Sequence, residues 1–305
     1  MNGTFHEPVL LNEVLHFLDV KPGKKYIDCT LGDAGHTIEI LKLGGKVLGF
    51  DYSEESISRA ENRISQLGLK ENFKAVQKNF KNIDTVASEN DFDVVEGVLF
   101  DLGYSSYQLD KGEKGLSFLR NENLDMRLSN EFTVTAADLI NALPETELVR
   151  LFRVYGEEIL AKRFASAIVK ARRLKKLTST KDLTDILVKE APPGYEHKRI
   201  HPATRVFQAL RIAVNDELES LKVSLPRAAH LLRSPLTDSE GSILPGGRML
   251  VITFHSLEDR VVKNFGQSAR HTIKLVNEKL VVPGEKELEF NRRSRSAKMR
   301  VFEKI

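Results

Sequence analysis

The sequence predicts an α/β fold: a mostly parallel sheet covered by helices on both faces and interrupted by a long helical insertion. Three observations carry this. Short, near-continuous apolar runs alternate with amphipathic helical patterns through the first hundred residues, as strands buried on both faces require. Four of these runs end on Asp28, Asp51, the Asn79-Phe80 step and Asp101, at the carboxyl ends where such sheets bind ligands. From about Lys111 the alternation gives way to helical patterns, and it resumes at Arg248.

The elements follow in order. Residues 26–36, Tyr-Ile-Asp-Cys-Thr-Leu-Gly-Asp-Ala-Gly-His, read as a strand, a small-residue loop and the start of a helix that continues through Ile38 and Leu41. Gly32 and Gly35 permit positive φ and close backbone approach, and the helix start offers free N–H groups. A second strand over 46–50 ends on Asp51, where a carboxylate can accept from both ribose hydroxyls of a nucleoside. Ser53 is placed to cap the next helix, with Glu54 and Glu55 in its first turn, Ile57, Ala60, Ile64 and Leu67 at helical spacing, and Gly68 at its end. Residues 73–78 and 94–102 are the third and fourth strands.

A turn-rich passage over 116–128 precedes helices expected over 136–143, 145–155, 157–173 and 179–190. After the break at Pro192-Pro193-Gly194, a helix opens at Pro202, a residue suited to the first helical position. Phe207, Leu210, Val214, Leu218 and Leu221 form its apolar stripe. Thr204, Gln208, Arg211 and Asn215 form a polar stripe beside it, which reads as a binding face or simply a wet one. Residues 248–254 are a fifth strand. Ser256 and Asp259 then have capping-box spacing, and 273–276 and 298–302 are the last strand candidates. The expected division is a discontinuous core over 1–112 and 225–305, with an inserted, mostly helical substrate-recognition domain over 113–224.

At 305 residues the chain exceeds one typical domain. Its longest apolar run, 249–254 with one threonine, is far short of the roughly 20 residues that span a bilayer. No secretory signal pattern is visible at the N-terminus. A single cysteine excludes an internal disulfide framework and points to a reducing compartment, hence the cytoplasm. No His/Cys/Asp cluster has metal-ligand spacing, so no metal is expected. The net charge of +3 says little, but its distribution says more. Basic clusters at 170–176, 197–201 and 291–300 suit a polyphosphate partner, although each alone also reads as a solvated helix end or tail.

The loop at 32–36 matches neither the dinucleotide pattern G-x-G-x-x-G nor a phosphate-binding P-loop, and Asp33 inside it would repel a pyrophosphate. A nucleoside without phosphate fits, which favours S-adenosylmethionine over NAD or ATP.

These motifs resemble the bacterial 16S ribosomal RNA cytosine-N(4) methyltransferases, the RsmH (MraW) family. The matching stretches are residues 6–13 (HEPVLLNE), 28–36 (DCTLGDAGH), 101–110 (DLGYSSYQLD), 124–127 (LDMR), 201–218 (HPATRVFQALRIAVNDEL), 254–260 (FHSLEDR) and 295–300 (RSAKMR). The resemblance implies a class I S-adenosylmethionine-dependent, Rossmann-like methyltransferase fold with an inserted helical domain. It also implies a target, the exocyclic amine of a cytidine in the decoding centre of 16S rRNA within the small ribosomal subunit. The implied cofactor contacts are Gly32, Ala34, Gly35 and His36 in the loop, Asp51 at the ribose, Phe80 near the adenine, and Asp101 and Gln108 at the methionine end. Asp33 and Ala34 depart from a loop that is usually richer in glycine. Tyr104, Tyr107 and Arg292 replace a usual valine, proline and proline.

Methylating a cytosine amine requires an acceptor for its N–H and alignment with the methyl donor. Asp101 or a nearby carbonyl is the candidate acceptor, with Ser105, Ser106 and His255 able to bind the base edge or pass on its proton. His255 reads equally as a helix-start hydrogen-bond partner. A carbon-5 reaction would need a cysteine nucleophile, and Cys29 sits on the cofactor side of the loop. The base must leave its stack. Tyr104 or Tyr107 is placed to stack on it, and Arg205, Gln208, Arg211, Asn215, Arg293 and Arg295 are the expected RNA contacts.

Overall fold

The computed structural model describes residues 7–103, 114–195, 200–277 and 279–305. It divides into two compact units: Met1–Gly103 with Leu218–Ile305, and Tyr104–Glu217.

The first unit is built on a seven-stranded sheet. Its strands are β1 (Lys25–Asp28), β2 (Lys46–Asp51), β3 (Phe73–Gln77), β4 (Gly97–Asp101), β7 (Arg248–Thr253), β8 (Ile273–Leu275) and β9 (Lys298–Lys304), in the order β3-β2-β1-β4-β7-β9-β8. The pairs β3-β2, β2-β1, β1-β4 and β4-β7 are parallel. Only β9 runs against its two neighbours. This is the mostly parallel α/β sheet that the strand pattern predicts, and all seven expected strands are present.

Successive strand residues point to opposite faces, and the two cores record it. Ile27, Leu48, Phe50, Val98, Phe100, Met249 and Val251 lie in one buried cluster; Tyr26, Val47, Leu99, Leu250 and Ile252 lie in the other. The helices α4 (Ile83–Glu89), α10 (Glu217–Leu231) and α11 (Ser256–Ser268) cover the first face, through residues such as Ile83, Leu225 and Val262. The second is covered by α1 (Leu11–Leu18), α2 (Gly35–Lys42) and α3 (Glu54–Gln66), through Val14, Leu18, Ile38, Ala60 and Ile64. Ser53 caps α3 as expected, its Oγ accepting from Ser56 N at 3.2 Å, and Gly68 follows the helix end at φ 71°.

The second unit holds α5 (Ala136–Ala142), α6 (Glu145–Gly156), α7 (Ala161–Arg172), α8 (Thr180–Glu190) and α9 (Ala203–Asn215). They share one core that includes Leu148, Phe152, Phe164, Ile168, Leu183, Phe207 and Leu210.

Two expectations are corrected here. The helix expected over 157–173 starts only at Ala161. Glu157 ends α6 in the left-handed region, and Glu158, 1% exposed, turns inward to accept from Leu160 N and Tyr195 OH at 2.7 Å each. The stripe drawn from Phe207 to Leu221 belongs to two helices. Asp216 at φ 51° ends α9, and Leu221 packs against the sheet from α10. Periodicity gives no warning of either break, because the apolar spacing runs through both. Also unforeseen are α1, the six-residue α12 (Glu285–Phe290) and a two-stranded hairpin of β5 (Leu236–Thr237) and β6 (Ile243–Leu244). No described helix is long and apolar enough to cross a membrane.

The start of β4 is tightly packed. A Cβ on Gly97 would lie 2.5 Å from Leu18 Cδ2 and 3.0 Å from Tyr26 Cδ1, both on buried side chains. Gly97→Ala is therefore expected to lower the free energy of unfolding by about 1–3 kcal/mol, read as an earlier urea midpoint with unchanged slope. An unmoved midpoint would show that Leu18 and Tyr26 repack without cost.

Candidate active site

Because β2, β1 and β4 are adjacent and parallel, their carboxyl ends bring Asp51, Asp28 and Asp101 together. Each carboxylate has a different set of partners. Asp28 is 2% exposed. Its Oδ1 accepts from Thr30 N at 3.0 Å and its Oδ2 from Thr37 Oγ1 at 2.7 Å, so it ties the end of β1 to the first turn of α2. Burial pushes its pKa up, and His36 and the two threonines act against that. Its valences go to the fold.

Asp51 holds the loop. Its Oδ2 accepts from Gly32 N at 2.9 Å and its Oδ1 from Ser53 N at 2.8 Å. Burial pushes it up to about 6, with those two N–H bonds pulling the other way. Gly32 and Ala34 both take left-handed backbone, at φ 49° and 61°. For the fully buried Ala34 that conformation costs about 1–2 kcal/mol, strain that a glycine would escape. Asp33, the acid inside the loop, is bound at 2.9 Å by Arg59 Nη2, while Arg63 Nη1 donates to its carbonyl at 2.8 Å.

His36, 5% exposed, has its Nε2 2.9 Å from Val9 O. A carbonyl only accepts, so Nε2 donates, and Nδ1 lies 3.8 Å from Asp101 Oδ2, where the protonated ring sets positive charge beside the carboxylate. The backbone N of Asp101 donates to Thr30 Oγ1 at 2.7 Å. Asp101 Oδ1 is buried and has no hydrogen-bond partner among the described residues. Burial pushes this carboxyl up to about 6, against the charges of His36 and Arg293. The end of β4 thus presents an unused acceptor at a poised carboxylate. Phe80 is 9% exposed, set edge-on to Phe100 with centroids 5.6 Å apart and tilted against Tyr52 at 6.4 Å. It is an aromatic that belongs to the core and lies next to a strand end.

Cys29 is buried. Desolvation first, and the neighbouring Asp28 charge second, push its thiol well above the usual value. A thiolate nucleophile there is disfavoured.

His255 caps the start of α11. Its Nδ1 accepts from Glu258 N at 3.3 Å, and Glu258 Oε2 accepts from Phe254 N at 2.8 Å and His255 N at 3.2 Å. Nε2 lies 3.1 Å from the buried Glu258 Oε1 yet makes no hydrogen bond with the described residues. The capping box is therefore His255–Glu258, one residue earlier than the Ser256–Asp259 spacing suggests. Asp259 instead pairs with Arg300 Nε at 2.8 Å.

The polar stripe on α9 makes contacts within the helical unit. Asn215 is 1% exposed; its Nδ2 donates to Met126 O and Arg211 O, and its Oδ1 accepts from Leu128 N. It fastens the turn-rich passage to the helix. Arg211 makes a two-pronged pair with Glu217, at 2.8 and 2.9 Å. Gln208 donates to Tyr155 O and Arg205 to Glu157 O. Buried irregular chain needs partners for its backbone groups, and Asn215 supplies two of them. Arg293 is half-buried and its charge acts on Asp101, whereas Arg295 is exposed. Tyr104, Ser105, Ser106, Tyr107 and Gln108 lie outside the described residues.

Sequence reasoning from strand ends missed the contribution of the N-terminal segment, in which Pro8 packs on Gly35 and Val9 fixes His36. Only the 6–13 motif pointed to it.

The profile of the MraW methylase family matches residues 3–305. The chain is 44% identical to "Ribosomal RNA small subunit methyltransferase H" of Carboxydothermus hydrogenoformans, over 98% of each chain. It is 42% identical to the protein of that name from Dictyoglomus thermophilum, over 99% of this chain and 97% of the other. To the Geobacter sulfurreducens protein it is 43% identical, over 98% and 99%.

Two outcomes follow for cofactor binding. A Cβ on Gly35 would lie 2.6 Å from Pro8 Cγ, so Gly35→Ala should shift the N-terminal segment with the loop. We expect S-adenosylmethionine affinity by calorimetry to fall about tenfold, roughly 1.4 kcal/mol, while the circular dichroism spectrum is kept. The second concerns pH. Asp51 and Asp101 both sit at about 6, so each is protonated and loses acceptor capacity as pH falls through that value. Cofactor affinity should be flat above pH about 7 and drop below 6, and Asp101→Asn should remove part of the drop. An affinity indifferent to pH from 5 to 8 would mean that neither carboxylate contacts the ligand.

Proposed function

The chain belongs to the MraW methylase family, and from that membership we propose that it is an S-adenosylmethionine-dependent 16S rRNA methyltransferase, acting on the exocyclic N(4) amine of a cytidine in the decoding centre. The observation that carries the chemistry is the buried Oδ1 of Asp101 at the end of β4, which has no hydrogen-bond partner among the described residues.

The residues present fit the cofactor. Its hydroxyls and ammonium are donors and its sulfonium is cationic. The strand ends offer carboxylate acceptors in Asp51 and Asp101, and the loop carries no basic group of the kind a pyrophosphate needs. When bound, S-adenosylmethionine supplies an electrophilic methyl group. Asp51 would hold the ribose, Phe80 would lie by the adenine, and Ala34, Gly35 and His36 would line the methionine end with Asp101.

The protein's part in the reaction is orientation and proton acceptance. The cytosine amine is a weak nucleophile because its lone pair is delocalised into the ring. Asp101 Oδ1 accepts a hydrogen bond from that amine, which favours its pyramidal form, and takes the proton as the nitrogen becomes acidic. A carboxyl near pKa 6 is ionised at neutral pH, and its proton-accepting strength exceeds that of an ordinary aspartate. The buried, protonated Cys29 argues against attack at carbon 5.

An RNA partner is further supported by α7 and the residues after it. Lys162, Lys170, Arg173 and Lys176 are exposed and have no ion-pair partner among the described residues, while the next acid along the chain is Asp182. The helical unit is thereby the substrate-recognition part, and rRNA within the small subunit is the substrate in the cytoplasm.

The test is transfer of labelled methyl to small subunits from cells lacking this protein, followed by identification of the modified nucleoside. N(4)-methylcytidine is the expected product, and Asp101→Asn should lower kcat by about 10²- to 10⁴-fold. Cofactor binding without label on RNA would sink the reading in favour of a different substrate or a silent assembly role. Replacing Lys170, Arg173 and Lys176 together with alanine should weaken RNA binding and flatten its log–log salt dependence by about 2. An unchanged salt slope would remove this face from the interface.

A further inference from the structure

The N-terminal segment that supports the cofactor loop also supports α12 and the 3-10 turn after it, Arg292–Ser296. Glu287 Oε1 accepts from Leu10 N at 3.0 Å. Asn291, 3% exposed, donates from Nδ2 to Glu7 O at 3.1 Å, and its Oδ1 accepts from Arg293 N at 3.2 Å. The fully buried Ser294 donates to Asn291 O at 2.7 Å. The turn is therefore pinned to the residues that hold Gly35 and His36, and Arg293 within it is close enough for its charge to act on Asp101.

On this fixed support Phe290 is 82% exposed, the most exposed phenylalanine among the described residues. Five residues on, Arg295 is exposed and has no ion-pair partner among the described residues. Folding gives no reason for an aromatic ring held in water at the last residue of a six-residue helix. An exposed aromatic followed, five residues on, by an exposed arginine in a hydrogen-bonded turn has the composition of a base-stacking platform.

Resting on the rRNA reading, we infer that Phe290 stacks on a nucleobase flanking the target cytidine while Arg295 holds a neighbouring phosphate. The exposed acids Glu285 and Glu289 on α12 disfavour phosphate along the helix, so the strand crosses on the side of the turn.

The experiment compares wild type with Phe290→Ala, Phe290→Leu and Phe290→Tyr in methyl transfer to small subunits, with S-adenosylmethionine affinity and thermal melting measured alongside. The alanine and leucine variants should raise KM for RNA about 5- to 100-fold, leaving cofactor affinity and melting temperature unchanged, and tyrosine should restore wild-type KM. Normal KM in the alanine variant, or leucine performing as well as tyrosine, would overturn stacking. A loss of melting temperature or cofactor affinity in all three would make the ring a structural element. No transfer by wild type would remove the rRNA reading and this inference with it, whereas normal transfer by Phe290→Ala removes the inference alone.

Discussion

Three aspartates desolvated side by side at the carboxyl edge of one parallel sheet are the constraint on which the first unit depends. Left alone, Asp28, Asp51 and Asp101 would repel one another and resist burial. The fold answers each differently. Asp28 is consumed by threonine hydroxyl and backbone donors, Asp51 by the N–H groups of Gly32 and Ser53, and Asp101 lies near His36 and Arg293 with one oxygen unpartnered among the described residues. An edge tuned in this way favours a ligand that brings positive charge and hydrogen-bond donors, and it disfavours phosphate. The same desolvation that makes the edge costly holds Asp51 and Asp101 near 6, where a carboxylate is both ionised at neutral pH and a better proton acceptor.

That arrangement needs bracing from outside the sheet. The segment before α1 provides it: Pro8 fills the space above Gly35, the carbonyl of Val9 accepts from His36, and Leu10 and Glu7 are held in turn by Glu287 and Asn291. The two ends of the sequence therefore meet at the loop. Ala34, strained in the left-handed region and fully buried, persists because its neighbours on both sides are fixed.

In the helical unit the economy is reversed. Asn215 serves the backbone of the turn-rich passage, and Gln208 donates to a carbonyl of α6. On α7 and the chain after it, Lys162, Lys170, Arg173 and Lys176 are exposed and have no ion-pair partner among the described residues.

The sequence by itself determined the α/β class, all seven strands of the sheet, the strand-end positions of Asp28, Asp51 and Asp101, and the membership that gives the reaction. Alternating burial and strand-terminal acids are local patterns, so they survive in one dimension. Tertiary structure alone decided that Asp101 Oδ1 is buried with no partner among the described residues, that His255 caps a helix, that Asn215 is buried, and that α9 ends at Asp216 though the apolar spacing runs on. Each of those depends on partners far away in the chain or on a single left-handed residue, and neither leaves a periodic trace. A side chain's type sets what it can donate or accept; only the fold sets which neighbours have already claimed it.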